Sequence, residues 1–266
     1  DVAPSRGLGD VYKRQHKYLP NIKHVTTYAR ADSIARKSVS ELRELKTAGI
    51  EHLYCGMETG SDLILRKINK GFDAATIIIS GTKAKEAGMV LSEFTLFGIG
   101  GKELAEENAV ETAKVLNVIK PDFVRVHATG IKLSSEMWNY VKNKELTLQS
   151  EEEIVSEQKI MLELLADDMD CIYMNEHIVN LLLEVRGNIR TDKQNMLETI
   201  NTYLQLPKQE QELFNLGRRL NIMFFLADLN NRAKRKQTEE GLRKIKTQNP
   251  DLDLAFVCNY VRQTQI

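Results

Sequence analysis

The stretch Lys46-Thr47-Ala48-Gly49-Ile50-Glu51-His52-Leu53-Tyr54-Cys55-Gly56-Met57 decides how this chain is read, because it holds a helix end, a glycine stop and a strand in one short run. Leu42, Leu45 and Ala48 recur on one helical face, and Ser38 with Glu41 three residues on forms a capping box at the helix start. Gly49 ends the helix, since glycine takes the left-handed conformation there without strain. Ile50–Met57 follows as a strand. The same helix–glycine–strand junction recurs at Lys85-Glu86-Ala87-Gly88-Met89.

Working outward, Asn21–Tyr28 is a short β-branched strand, and a helix is predicted from about Ala74 to Ala87. Met89–Phe97 reads as a third strand, closed by Gly98-Ile99-Gly100-Gly101. A helix is expected over Lys102–Ile119, blocked by Pro121, and Phe123–His127 is a fourth strand. Strand starts near 22, 50, 89 and 122 approach the roughly 30 residues per βα unit of a barrel of about 250 residues. Strands separated by helices imply parallel pairing with right-handed crossovers. The predicted fold class is therefore α/β, a partial parallel (β/α) barrel of about four βα units that stays an open arc by itself.

After Gly130 the pattern turns mostly helical. Helices are expected over Ser134–Tyr140, from the Ser150/Glu153 capping box to about Ala166, over Asp192–Leu204, and once or twice within 208–247, with a short strand at Cys171–Met174. The expected organisation is a disordered or artefactual N-terminus over 1–20, a partial (β/α) core over 21–133 and a helical C-terminal extension over 134–266. Asp10-Val11-Tyr12-Lys13-Arg14-Gln15 resembles translated adaptor sequence, and the gene is expected to be truncated there.

Composition removes several function classes. The 266 residues carry 37 Lys+Arg against 37 Asp+Glu, so net charge is zero and nucleic acid is not indicated as a partner. Arg232-Ala233-Lys234-Arg235-Lys236 is basic, but no aromatic residues interleave with it and Glu239-Glu240 follow, which favours a solvated helix face. No apolar run approaches the roughly 20 residues that span a bilayer, so no membrane partner is expected. Cys55, Cys171 and Cys258 form no disulfide framework, which suits a cytoplasmic protein.

Parallel α/β folds place chemistry at the carboxyl ends of their strands. Here those ends are Tyr28-Ala29-Arg30, Gly56-Met57-Glu58-Thr59-Gly60, Phe97–Gly101 and His127-Ala128-Thr129-Gly130. Glu58 is positioned to accept from ribose hydroxyls or an ammonium; equally, the segment serves to cap a helix over Leu63–Ile68. His127 reads as a catalyst or as a packed strand histidine. Gly98-Ile99-Gly100-Gly101 lacks the lysine and hydroxyl of a phosphate loop.

Tyr54–Leu65 followed by Ile68-Asn69-Lys70-Gly71 resembles the fourth-strand signature of radical S-adenosylmethionine enzymes. Phe94–Glu103 is similar to that family's fifth-strand signature, and Tyr28-Ala29-Arg30 to its third-strand end. The resemblance covers about Ile22 to Ser135. It implies the last about four units of a (β/α)6 barrel and two cofactors, a 4Fe–4S cluster and S-adenosylmethionine. Reductive cleavage at the cluster would yield a 5′-deoxyadenosyl radical acting on an unknown substrate. By the same resemblance Glu58 and Thr59 contact adenosylmethionine, Gly98, Gly100 and Gly101 let backbone approach it, and Lys70 and His127 complete the cofactor-binding set. The family's Cys-x3-Cys-x2-Cys cluster loop is absent from this chain. The chain alone is therefore expected to bind no cofactor and to be inactive, with the cluster held by the full-length protein. Two alternatives remain: an iron-free (β/α)-barrel enzyme using Glu58 and His127 as acid and base, and a non-enzymatic module docking through its charged C-terminal helices.

Overall fold

The computed structural model describes residues 17–18, 21–22 and 24–265. Most of the 1–20 segment, for which a disordered or artefactual N-terminus is expected, lies outside the described residues. Six strands form one sheet: β1 (Val25–Ala29), β2 (Ile50–Glu58), β3 (Val90–Phe97), β4 (Phe123–Ala128), β5 (Ile172–Met174) and β6 (Gly187–Asn188). Their order in the sheet is their order in the chain. Pairing is parallel from β1 to β5, and β6 adds antiparallel to β5. A sequential order with parallel strands is that of consecutive barrel units; a doubly wound sheet reverses direction at a switch point. The protein is thus α/β, with a mostly parallel sheet left open at both edges among the described residues.

Helices cross between the strands: α1 (Ala31–Ala35), α2 (Val39–Thr47), α3 (Asp62–Lys67), α4 (Ala74–Glu86) and α5 (Ala105–Ile119). The capping box at Ser38 is formed, with Glu41 N–H donating to Ser38 Oγ and Ser38 N–H to Glu41 Oε2. Gly49 and Gly88, at φ 108° and 73°, sit in the left-handed region just past α2 and α4. The first strand starts at Val25, later than the expected Asn21. The helix expected over Lys102–Ile119 divides into a 3-10 turn, Lys102–Leu104, and α5. Gly101 at φ 67° redirects the chain, and Lys102 N–H donates to Thr147 O rather than to a helical carbonyl.

The second half supplies α6 (Glu136–Lys142), α7 (Glu151–Leu164), α8 (Ile189–Leu204), α9 (Lys208–Arg219), α10 (Arg232–Gln248) and α11 (Leu254–Thr264). The sheet draws β5 and β6 from this mostly helical half. The α8 helix begins three residues before the expected Asp192 because Asn188 caps it, accepting from Arg190 N–H. The sequence reading places α11 within the helical extension without marking it as a separate helix; Asp253 caps it, accepting from Ala255 N–H.

Alternation along the strands separates two sheet faces. Leu53, Cys55 and Met57 of β2, Leu91 and Phe97 of β3, and Val124 and Val126 of β4 are buried in the main core with Ile77, Ala113 and Leu116 from the helices. On the opposite face His52, Tyr54, Phe94, Arg125 and His127 are only partly buried. α7, α9 and α11 meet around a fully buried carboxylate, Glu151. Arg219 donates to both Glu151 oxygens at 2.8 Å, and Arg262 Nη2 donates to Glu151 Oε1 at 2.8 Å. Burial alone would raise the Glu151 carboxyl, but the two guanidiniums outweigh it and hold its pKa down at about 2. Arg262 also donates to Thr129 O beyond β4, and Asn259 pairs with the Ile131 backbone, so α11 seals that strand end. No helix among the described residues is long and apolar enough to cross a membrane.

Candidate functional site

Glu58 is the last residue of β2 and adopts φ 63° at an irregularity in the β2–β3 register. A non-glycine side chain in that region is uncommon and marks strain or function. Its carboxylate accepts from Lys70 Nζ at 2.6 Å, both side chains being about four-fifths buried. Gly56 makes room for the pair: a Cβ there would lie 2.5 Å from Glu58 Oε1 and 3.4 Å from Lys70 Nζ. The ion pair therefore lies over Gly56 on the half-exposed face. Lys70 follows α3, whose cap is Ser61: Ile64 N–H donates to its Oγ. Functional and capping roles thus fall on different residues, Glu58 and Ser61.

The other expected contacts have protein neighbours. Thr59 is fully buried, and its hydroxyl accepts from Ser61 N–H. Gly98, Gly100 and Gly101 are buried as well. Cβ atoms there would meet Ile154, Ile64 with Leu104, and Leu146 with Glu103 respectively. The missing side chains make space for packing, and positive φ at Gly98 and Gly101 adds a backbone requirement. His127 is half-buried on β4, its ring 4.3 Å from that of His177 and 5.6 Å from Phe94. Burial first, then His177 and Arg125, lowers its pKa to about 4, so it is neutral at physiological pH. Glu58 and His127 are not brought together as acid and base: β3 lies between their strands, and two inter-strand spacings amount to roughly 10 Å.

Around this pair the open face carries a ring-lined floor. Tyr28 meets Tyr54 edge-on at 5.4 Å and Phe94 at 6.2 Å, and His52 contacts Tyr54 and Phe123. His52 Nε2 is hydrogen-bonded to Ser92 Oγ at 2.8 Å. Arg125 of β4 lies among these rings, 4.7 Å from the centre of Tyr54. Period-2 alternation held the signal for this floor, because His52, Tyr54, Phe94, Arg125 and His127 occupy alternate strand positions.

Two further acids were missed by the sequence reading. Glu93 on β3 is wholly buried, with neither carboxyl oxygen hydrogen-bonded. Burial and the charge of nearby Glu58 push its pKa well above the usual carboxylate range. A lone acid at a core-facing strand position was the available signal. Glu157 of α7 accepts from Gly98 N–H at 3.0 Å and from the Gln149 and Asn108 amides, pinning the glycine loop. Burial pushes its carboxyl up to about 7.

The cysteines do not suit an iron–sulfur cluster. All three are buried, Cys55 on β2, Cys171 just before β5 and Cys258 on α11; burial raises every thiol pKa, and Cys171 and Cys258 reach about 12. No three His, Cys, Asp or Glu side chains among the described residues converge as a metal site. A cleft of about 880 Å³ lies elsewhere, between Trp138, Leu146, Lys208 and Phe256. Of the charged C-terminal helices, α9 contributes Leu213, Phe214 and Leu216 to the interior, which leaves α10 as the exposed one.

No protein-family model matches the chain, and no curated protein matches it. Among solved structures it is similar to the archaeal Methanocaldococcus infernus Elp3 with an N-terminal deletion, at 17% identity and TM-score 0.46, over 54% of this chain and 33% of that one. Methylornithine synthase PylB is similar at 15% identity and TM-score 0.44, over 74% of this chain and 50% of that one. HydG, a maturase of the FeFe-hydrogenase, is similar at 14% identity and TM-score 0.42, over 94% of this chain and 70% of that one. The chain therefore spans about a third of the first and half of the second.

Proposed function

We propose that this chain forms the later strands of a radical S-adenosylmethionine enzyme's barrel, with Glu58 and Lys70 facing the adenosylmethionine and His127 on the substrate side. The observation that carries this reading is Glu58, a strained carboxylate at a parallel strand's carboxyl end, aimed over Gly56 by a lysine at 2.6 Å. Such a carboxylate accepts from ribose hydroxyls or an α-ammonium, and Lys70 fixes its direction. The ring-lined floor beside it supplies apolar surface that excludes water from a bound nucleoside. When bound, adenosylmethionine supplies the hydrogen-abstracting chemistry, which belongs to the cofactor. Neutral His127 is able to take up a proton at a ring nitrogen on the substrate side.

Cys55, Cys171 and Cys258 do not hold the cluster in this reading, and the chain by itself turns nothing over. Anaerobic incubation with iron and sulfide is expected to leave the 266-residue chain without 4Fe–4S absorption. Cluster formation on this chain, with release of deoxyadenosine, would overturn the assignment of its cysteines. S-Adenosylhomocysteine tests the ligand half without any cluster. In nuclear magnetic resonance titrations it is expected to bind weakly but saturably, to shift the amides of Gly56–Gly60, and to lose most of that effect in Glu58→Gln. No shift at those amides in the folded wild type would sink the reading.

A further inference from the structure

Arg125 is the feature of the open face that the reading above leaves unused. Its Nη2 donates to Tyr54 OH at 2.9 Å, and this is its one hydrogen bond among the described residues. Its Nε is buried and has no partner. No carboxylate lies within ion-pair distance of it among the described residues, whereas the similarly shielded Lys70, Lys85 and Lys193 each pair with one. The aromatic rings of Tyr54, Phe94 and Phe123 surround the guanidinium at 4.7, 5.9 and 6.0 Å.

The neighbours sharpen the charge argument. Burial, then Arg125, lowers the pKa of His52, and Arg125 also contributes to the lowering at His127. Both histidines flank the arginine in their neutral form at physiological pH. The floor therefore presents the Arg125 guanidinium beside the hydroxyls of Tyr28 and Tyr54, and the carboxylate on this face, Glu58, is already paired with Lys70. A half-buried guanidinium keeps a fork of donors that matches a carboxylate or phosphate in two parallel hydrogen bonds. Tyr28 leaves 79% of its area exposed at the edge of the same ring cluster, a flat surface for another planar group.

We propose that the open face of the sheet is a subsite for a small planar anion, its carboxylate or phosphate on Arg125 and its ring against Tyr28 and Phe94. The inference rests on the preceding reading only in taking this face as the substrate side; the recognition itself needs neither cluster nor adenosylmethionine. It names a substrate class for the site, an anion carrying a ring, where the strand-end motifs name none.

The test uses the 266-residue chain with benzoate, phenyl phosphate and uncharged benzyl alcohol as probes, followed by nuclear magnetic resonance titration. Benzoate, phenyl phosphate or both are expected to bind saturably with shifts at Arg125 and Tyr54, at least tenfold more tightly than benzyl alcohol. The tighter of the two anions identifies the headgroup. Arg125→Met is expected to remove that tenfold preference while benzyl alcohol binds as before. Arg125→Lys, which keeps the charge but loses the fork, is expected to weaken the anion at least threefold and serves if the methionine variant does not fold. Equal binding of charged and uncharged probes, an Arg125→Lys variant that binds as wild type, or no saturable binding would overturn the proposal. Failure of benzoate and phenyl phosphate with intact S-adenosylhomocysteine binding removes this inference alone. The reverse pattern removes the cofactor reading alone.

Discussion

Glu151 and Glu157 lie six residues apart on α7, both almost wholly buried, and their carboxyl pKa values move in opposite directions. Glu151, in the first turn, meets two arginines from α9 and α11 and stays charged down to about pH 2. Glu157, further along the same helix, meets only neutral amide donors and a backbone N–H, and its pKa rises to about 7. Burial penalises both charges; only the partners differ. The first carboxylate locks the C-terminal helices to each other. The second ties α7 to the glycine loop at the end of β3.

The largest test removes the lock. Glu151→Ala leaves Arg219 and Arg262 buried without their shared anion, and a loss of about 3–5 kcal/mol is expected in urea unfolding. A loss below about 1 kcal/mol, within the range of surface ion pairs, would show that the arginines find other partners.

Acid titration separates the two glutamates by the sign of their effect. The folded pKa of Glu151 lies below its ordinary 4.5, so its contribution is full above that value and disappears as pH falls toward 2, amounting to roughly 3 kcal/mol. Glu157 works the other way. Its folded pKa lies above 4.5, so the folded state holds a proton that the unfolded chain has released. Stability from this group is full below about pH 4.5 and falls by roughly 3 kcal/mol as pH rises to about 7. Glu157→Gln is expected to flatten the limb between pH 4.5 and 7 and to leave the acid limb unchanged. A variant that keeps the neutral limb would assign that limb to another group.

The smallest effect is expected at the site itself. Gly56→Ala places a methyl against the Glu58–Lys70 pair, so stability should change by only about 1 kcal/mol while S-adenosylhomocysteine shifts at Gly56–Gly60 disappear. Unchanged ligand shifts would show that the pair's position over Gly56 does not matter for binding.

Local signals made much of the βα layer legible. Capping boxes at Ser38 and Ser150 and glycine stops after α2 and α4 are interactions within a few residues, so they are written in order along the chain. Glu58 was legible as a candidate because it stands between turn glycines at a strand end. Its partner was less so, since Lys70 reaches it only after α3 has turned the chain back. Arg125 and the rings around it come from β1, β2, β3 and β4, and their meeting depends on register rather than on any contiguous motif. Short elements such as α1 and the 3-10 turn at Lys102–Leu104 had too few residues to show a period.

The sequence by itself determined the alternation of strands and helices, hence parallel pairing, and the strand-end positions of Glu58 and His127. Those follow from periodicity and turn chemistry, which act over a few residues. Only the tertiary structure decided which buried acids are charged, which glycines are filled by neighbouring side chains, and that Arg125 stands without a carboxylate among the described residues. Each of these depends on the dielectric and the donors that distant segments bring to one point, and a linear pattern does not record them.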